Sequence, residues 1–92
     1  MKQNRNMILR NIAGTNVIIP VGQGVVDSNA MIKINETGAF ILSQLETKST
    51  VEQLLDALIN EYQPENDEEI EILKNDLTAF IDQATKLQII IL

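Results

Sequence analysis

The spacing of hydrophobic positions changes partway along this 92-residue chain. Up to about residue 35 they fall in short, β-branched runs bounded by turn residues, and beyond it they recur at helical spacing. "MILRNIA" (7–13) and "NVIIPV" (16–21) read as two strands, with Gly14-Thr15 as the short turn of a hairpin. Pro20 has no N–H to donate, so it belongs near a strand end or facing away from a partner. "GQGVVDSN" (22–29) reads as a loop, because Gly22 and Gly24 permit tight or positive-φ geometry. "AMIKIN" (30–35) is the third strand. Its alternation places Ile32 and Ile34 on one face, assigned to the core, and Met31 and Lys33 on the other.

The third strand passes into a helix with almost no loop. Asn35 ends the strand, and its side-chain carbonyl can accept from the N–H of Thr37 or Gly38. Glu36 then falls in the first turn, where the helix dipole favours an anion. Gly38 weakens helix propensity but lets the helix approach the sheet closely. The first helix is expected over about 36–46, packing through Phe40, Ile41, Leu42 and Leu45. "STVE" fits a capping box with Ser49 at N-cap and Glu52 at N3. The stripe Val51, Leu54, Leu55, Leu58, Ile59 and Tyr62 then predicts a second helix over about 50–62. A third starts near 65–67, among acids that favour a helix N-terminus, and runs to about 86. Its stripe is Ile70, Leu73, Leu77, Phe80, Ala84 and Leu87, while Ile72 and Ile81 either widen the buried face or line a groove. The tail "LQIIIL" is either a short strand on the core or an exposed subunit contact.

The order β-β-β-α-α-α predicts an α+β domain, a three-stranded antiparallel sheet followed by three helices. It is winged-helix-like with its sheet moved to the front. The length suits one domain over 1–92, with a core at about 7–91. Aromatic residues are only Phe40, Tyr62 and Phe80, so aliphatic side chains must fill the core. No apolar run reaches the ~18 residues of a membrane span, and "MKQNRNMILR" has no apolar segment of signal-peptide type. A cytoplasmic protein without a membrane partner is the expectation.

Chemistry is limited by what the sequence lacks. It contains no histidine and no cysteine, which removes the common nucleophile–base pairs, thiol chemistry and soft-metal sites. "ENDEEIE" lacks the alternating ligands and central glycine of a calcium loop, and "GQG" is not a phosphate loop. The expectation is no enzyme, no catalytic residue, no metal and no cofactor. A helix-turn-helix order raises nucleic acid as a ligand, but the second helix carries Glu52, Asp56 and Glu61 and no basic residue. The net charge of −6 is unevenly divided. Residues 1–35 hold Lys2, Arg5, Arg10 and Lys33 against Asp27 alone; residues 36–92 hold three lysines against twelve acids. Two differently solvated surfaces explain this, or a basic half that meets an acidic ligand.

A three-stranded sheet leaves open edges, and an open edge is a template for an added strand. Strand 30–35 is the candidate, unless Lys33 merely blunts it. An extended peptide is one occupant; a second copy of the chain, joined through this edge or the C-terminal tail, is the alternative.

"VIIPVGQGVVDSNA" followed by "MIKINETGAFIL" resembles the PqqD-like family, that of coenzyme PQQ synthesis protein D. The most recognisable part is Ile34-Asn35-Glu36-Thr37-Gly38; "VEQLLDAL" and "LKNDLTAFIDQATKLQII" resemble the second helix and the third helix with its C-terminal end. The likeness covers roughly 7–91. Leu42-Ser43 stands where the family often has an aromatic, and Leu87-Gln88 where it often has a glycine. The resemblance implies a RiPP recognition element, which binds the leader of a ribosomally made precursor peptide and presents it to a modifying enzyme, often a radical S-adenosylmethionine (radical SAM) enzyme. It also implies that the leader adds beside the third strand, in the cleft against the third helix. On this chain that means Ala30, Met31, Ile32, Lys33, Ile34 and Asn35, with Lys33 and Arg10 available to leader acids. On the third helix it means Ile72, Asp76, Ala79 and Gln83, with Lys74, Thr78 and Ile81 as the other flank.

Overall fold

The structure, a computed structural model, describes residues 1–22 and 31–92. Most of the loop expected at 22–29, and Ala30 at the expected start of the third strand, lie outside the described residues. The elements are β1 (Lys2–Gln3), β2 (Met7–Ile12), β3 (Thr15–Pro20), β4 (Ile32–Ile34), α1 (Glu36–Gln44), α2 (Val51–Tyr62), α3 (Asp67–Lys86) and β5 (Ile90–Ile91). The fold is α+β, with a three-stranded antiparallel sheet in the order β2-β3-β4 followed by three helices.

The hairpin register runs from Met7 opposite Pro20 to Ile12 opposite Thr15. That makes the loop Ala13-Gly14, one residue earlier than expected. Both carry positive φ, 52° and 86°, as a two-residue type I′ connection demands. Thr15 is β-branched and would be strained at such a φ, so it opens β3 instead. The Asn11 side-chain carbonyl accepts from the Gly14 N–H at 3.2 Å and steadies the turn. Pro20 is the last residue of β3, where its missing N–H is tolerated.

The sheet sorts its side chains by period two. Leu9, Ile18 and Ile32 form one cross-strand row, and Asn11, Asn16 and Ile34 form another. Ile18 is fully buried, and Leu9, Ile32 and Ile34 pack against the core. The row between them, Arg10, Val17 and Lys33, projects from the opposite face.

The helices close the core with Ile41, Leu42, Leu54, Leu58 and Leu77, each essentially inaccessible. Burying side chains of this size contributes about 1.5–3 kcal/mol apiece. Ile81 packs against the same cluster. Leu87, placed on the buried stripe from its spacing, is 46% exposed instead, because it lies at the C-cap where the helical period stops.

Caps set the helix ends. Asn35 caps α1 by accepting from the Gly38 N–H at 2.8 Å. α1 ends at Gln44 rather than near 46, where its last bonds tighten to Leu45 N–H on Leu42 C=O and Thr47 N–H on Gln44 C=O. The capping box of α2 is displaced by one residue from the expected Ser49/Glu52. Thr50 accepts from the Gln53 N–H at 3.1 Å, and the Gln53 side chain accepts from both Ser49 and Thr50 N–H groups. One glutamine thus satisfies two free donors, which Glu52 does not do. Gln63 closes α2 at φ 49°, followed by Pro64. Asn66 caps α3.

The two termini form a separate two-stranded sheet, with Lys2 opposite Ile91 and Gln3 opposite Ile90. Asn4 reinforces it, its N–H donating to Ile89 C=O at 2.8 Å and its side chain to Gln88 C=O at 2.9 Å. The tail is therefore a short strand on the core, the first of the two readings of it. Ile89 and Ile90 are core residues at 1% exposure, while Leu92 stands 81% exposed. Among the described residues no helix is long and apolar enough to cross a membrane.

Candidate functional site

The short strand β4 pairs only with β3, so its other edge is unpaired within the described sheet. Beyond Ile34 the chain turns through Asn35 directly into α1, and this turn forms one wall of a groove. The opposite wall is a face of α3.

Gly38 decides how narrow the groove's base can be. A Cβ on Gly38 would lie 2.7 Å from Phe80 Cε1 and 2.8 Å from Ile34 Cγ2, both closer than real Cβ contacts allow. The start of α1 therefore seats on β4 and α3 at a distance only glycine permits. The resulting hollow encloses about 330 Å³ and is lined by Asn35, Thr37 and Gly38 on one side and Asp76, Ala79, Phe80 and Gln83 on the other. Those four α3 residues, at offsets 0, 3, 4 and 7, share one helical face.

A second hollow, of about 310 Å³, continues toward the N-terminus of α3. It is lined by Thr37, Tyr62, Pro64, Glu69, Ile72 and Leu73, and Thr37 is common to both. Tyr62 is held by an edge-to-face contact with Phe40, ring centres 6.2 Å apart, and its hydroxyl lies 3.4 Å from Thr37 Oγ1. The second hollow is the more apolar of the two, with Ile72 at 54% and Tyr62 at 44% exposure. Neither hollow is lined by a lysine or arginine. The only ion pair among the described residues, Lys86 with Asp82 at 3.2 Å, lies elsewhere on α3.

The residues named from sequence divide clearly. Asn35, Asp76, Ala79 and Gln83 meet in the first hollow, and Ile72 lines the second. Ile32 and Ile34 turn their side chains to the core, leaving backbone at the edge. Met31 and Lys33 project on the other face and line neither hollow. Arg10 stands in the same row as Lys33, two strands away, and donates to its neighbour Leu9 C=O. Ala30 lies outside the described residues. On the alternative flank of α3, Ile81 packs against the core, while Lys74 and Thr78 are exposed, with the Thr78 hydroxyl donating to Lys74 C=O. Thr37, Gly38, Phe80, Tyr62, Pro64, Glu69 and Leu73 were not among the expected site residues. Gly38 was the available signal, because a glycine kept for close approach must have a neighbour, and here that neighbour is Phe80. Among the described residues no group of acids is placed to hold a metal ion.

Three comparisons place this architecture. A solved structure described as "TbiB1 in Complex with the TbiA(beta) Leader Peptide" superposes with a TM-score of 0.70 at 20% identity, over 97% of this chain and 93% of that one. At that identity the likeness establishes the fold. A comparison with curated proteins finds no match. The sequence profile of "Coenzyme PQQ synthesis protein D (PqqD)" matches residues 17–90. By that match, over most of its length, the chain belongs to the PqqD family.

Proposed function

We propose that this protein is a non-catalytic, cytoplasmic RiPP recognition element working as one domain. It binds the leader segment of a ribosomally made precursor peptide and presents the precursor to a modifying enzyme, of radical SAM type. The observation that carries this reading is the far edge of β4, unpaired among the described residues, leading through the Asn35 turn into a groove that continues along α3. Family membership and the leader-bound structural neighbour support it. The leader would add as a strand to the backbone of residues 31–34, extending toward Ala30 and Asn35, with its side chains set against Ile72, Asp76, Ala79 and Gln83. Backbone pairing would contribute affinity, and the groove would set register. Asn35 pins the end of β4, so the edge loses little further conformational freedom when it gains a partner.

The test starts from the neighbouring genes. A short peptide gene beside a radical SAM enzyme gene supplies the probe, a synthetic peptide of the precursor's N-terminal segment. Titrated into isotope-labelled protein, it is expected to shift amide resonances in residues 31–35 and along 72–83. A spectrum unchanged at both places overturns the proposal.

A second reading is self-association through the β4 edge or through the tail, where Ile91 and Leu92 are exposed. Light scattering across concentration separates the two, since a tight dimer that occupies the β4 edge is incompatible with peptide addition there.

A further inference from the structure

We propose that the segment captured in this groove carries a cationic side chain seated against Asp76 and, about two residues away on the same face, an apolar side chain seated against Ile72 and Tyr62. This rests on the leader-binding reading above and specifies the chemistry that the groove selects.

The two hollows differ in kind. The first has Asp76 on its α3 wall, with no hydrogen bond or ion-pair partner for that carboxylate among the described residues. The Asn35 carbonyl beside it is already taken by the Gly38 N–H. Asp76 is exposed and solvated, and because an ionised carboxylate only accepts hydrogen bonds, the peptide group that replaces its water is a donor, best a charged one. The surrounding charge acts in the same direction. Residues 36–92, which supply every residue of the second hollow and all but Asn35 of the first, hold twelve acids against three lysines. Of the cations, Arg10 and Lys33 project from the far face of the sheet, and Lys74, two residues before Asp76 on α3, lies on the opposite side of that helix. A basic segment is thus drawn to this groove and an acidic one is repelled.

The second hollow presents Tyr62, Pro64, Ile72 and Leu73. Its one carboxylate, Glu69, already accepts from the Glu65 N–H in the cap of α3. That leaves an apolar surface that no described residue covers, which suits an aliphatic or aromatic side chain.

Helix geometry sets the spacing between these seats. Asp76 and Ile72 are four positions apart on α3, or roughly 6 Å at 1.5 Å per residue. An extended peptide covers that distance in about two residues, and positions i and i+2 of a strand share a face. One strand therefore reaches both hollows with side chains pointing the same way.

The experiment is selection from a display library of random short peptides, using as bait the purified full chain and its Asp76→Lys variant, with circular dichroism to confirm that both fold. The wild-type chain is expected to enrich Lys or Arg about two residues from Leu, Ile or Phe. The variant is expected to replace the basic position by Asp or Glu and keep the apolar one. The best wild-type peptide, resynthesised, should bind the variant roughly tenfold more weakly. If both baits enrich peptides with the same charge, or with none, the inference fails while peptide binding stands. If the wild-type chain enriches no peptide and no added peptide pool perturbs the residue 31–34 amides, the leader-binding reading fails with it.

Discussion

The ring edge of Phe80 lies 2.7 Å from the point at which a side chain on Gly38 would begin. This contact joins α1 to α3 and sets the base of the groove. Gly38→Ala gains helix propensity of about 1 kcal/mol, but forces Phe80 and Ile34 to shift, at about 1–3 kcal/mol. The expected result is a net loss of up to about 2 kcal/mol in chemical denaturation, with altered resonances for the groove residues. A more stable variant with an unchanged spectrum would show that the contact is not limiting.

Asn35→Ala removes the acceptor for the Gly38 N–H and should cost about 1 kcal/mol, whereas Asn35→Gly should cost only a few tenths. Equal losses for the two would mean that the side chain matters for something other than the cap.

The displaced capping box gives a paired comparison on α2. Thr50→Ala should lower stability by about 1 kcal/mol, while Ser49→Ala should change it by less than about 0.5 kcal/mol. The reverse order of effects would return the cap to Ser49.

Gln88 sits at φ 62°, in the left-handed region just past the C-cap of α3. A side chain in this left-handed region costs roughly 1–2 kcal/mol, part of which glycine forfeits by its greater freedom when unfolded. Gln88→Gly is therefore expected to stabilise the protein by about 0.5–1 kcal/mol, read as a higher denaturation midpoint at unchanged slope. A loss of stability would contradict strain at this position.

Two positions on α3 should separate folding from binding. Leu77 is inaccessible and in the core, so Leu77→Ala should cost about 2–5 kcal/mol. Ile72 is more than half exposed, so Ile72→Ser should change stability by less than about 0.5 kcal/mol yet weaken capture of a leader peptide several-fold in a titration. Full-strength binding by Ile72→Ser would remove the second hollow from the site.

Local chemistry determined much of this protein from its sequence alone. The period-two run at β4, the Asn35 cap, the stripe of α2 and the acidic start of α3 depend on neighbours within a few residues, so their signals survive in one dimension. The boundaries that moved did so through local competition. Positive φ at Ala13 and Gly14 shifted the turn, and the reach of the Gln53 side chain shifted the cap. The unassigned strand β1 was different, because two residues carry no pattern until Ile90 and Ile91 arrive to pair with them. The groove likewise belonged to the tertiary structure. Periodicity placed Phe80 on the core stripe and left Ile72 between core and groove, but a helix phase cannot say which flank will meet the strand edge. That was decided by the packing of Gly38 against Phe80 and Ile34, which brings the Asn35 turn opposite Asp76, Ala79 and Gln83. "MIKINETGAF" thus carries its strand and its cap in its own residues, while its position as one wall of a groove comes from a helix some forty residues further along the chain.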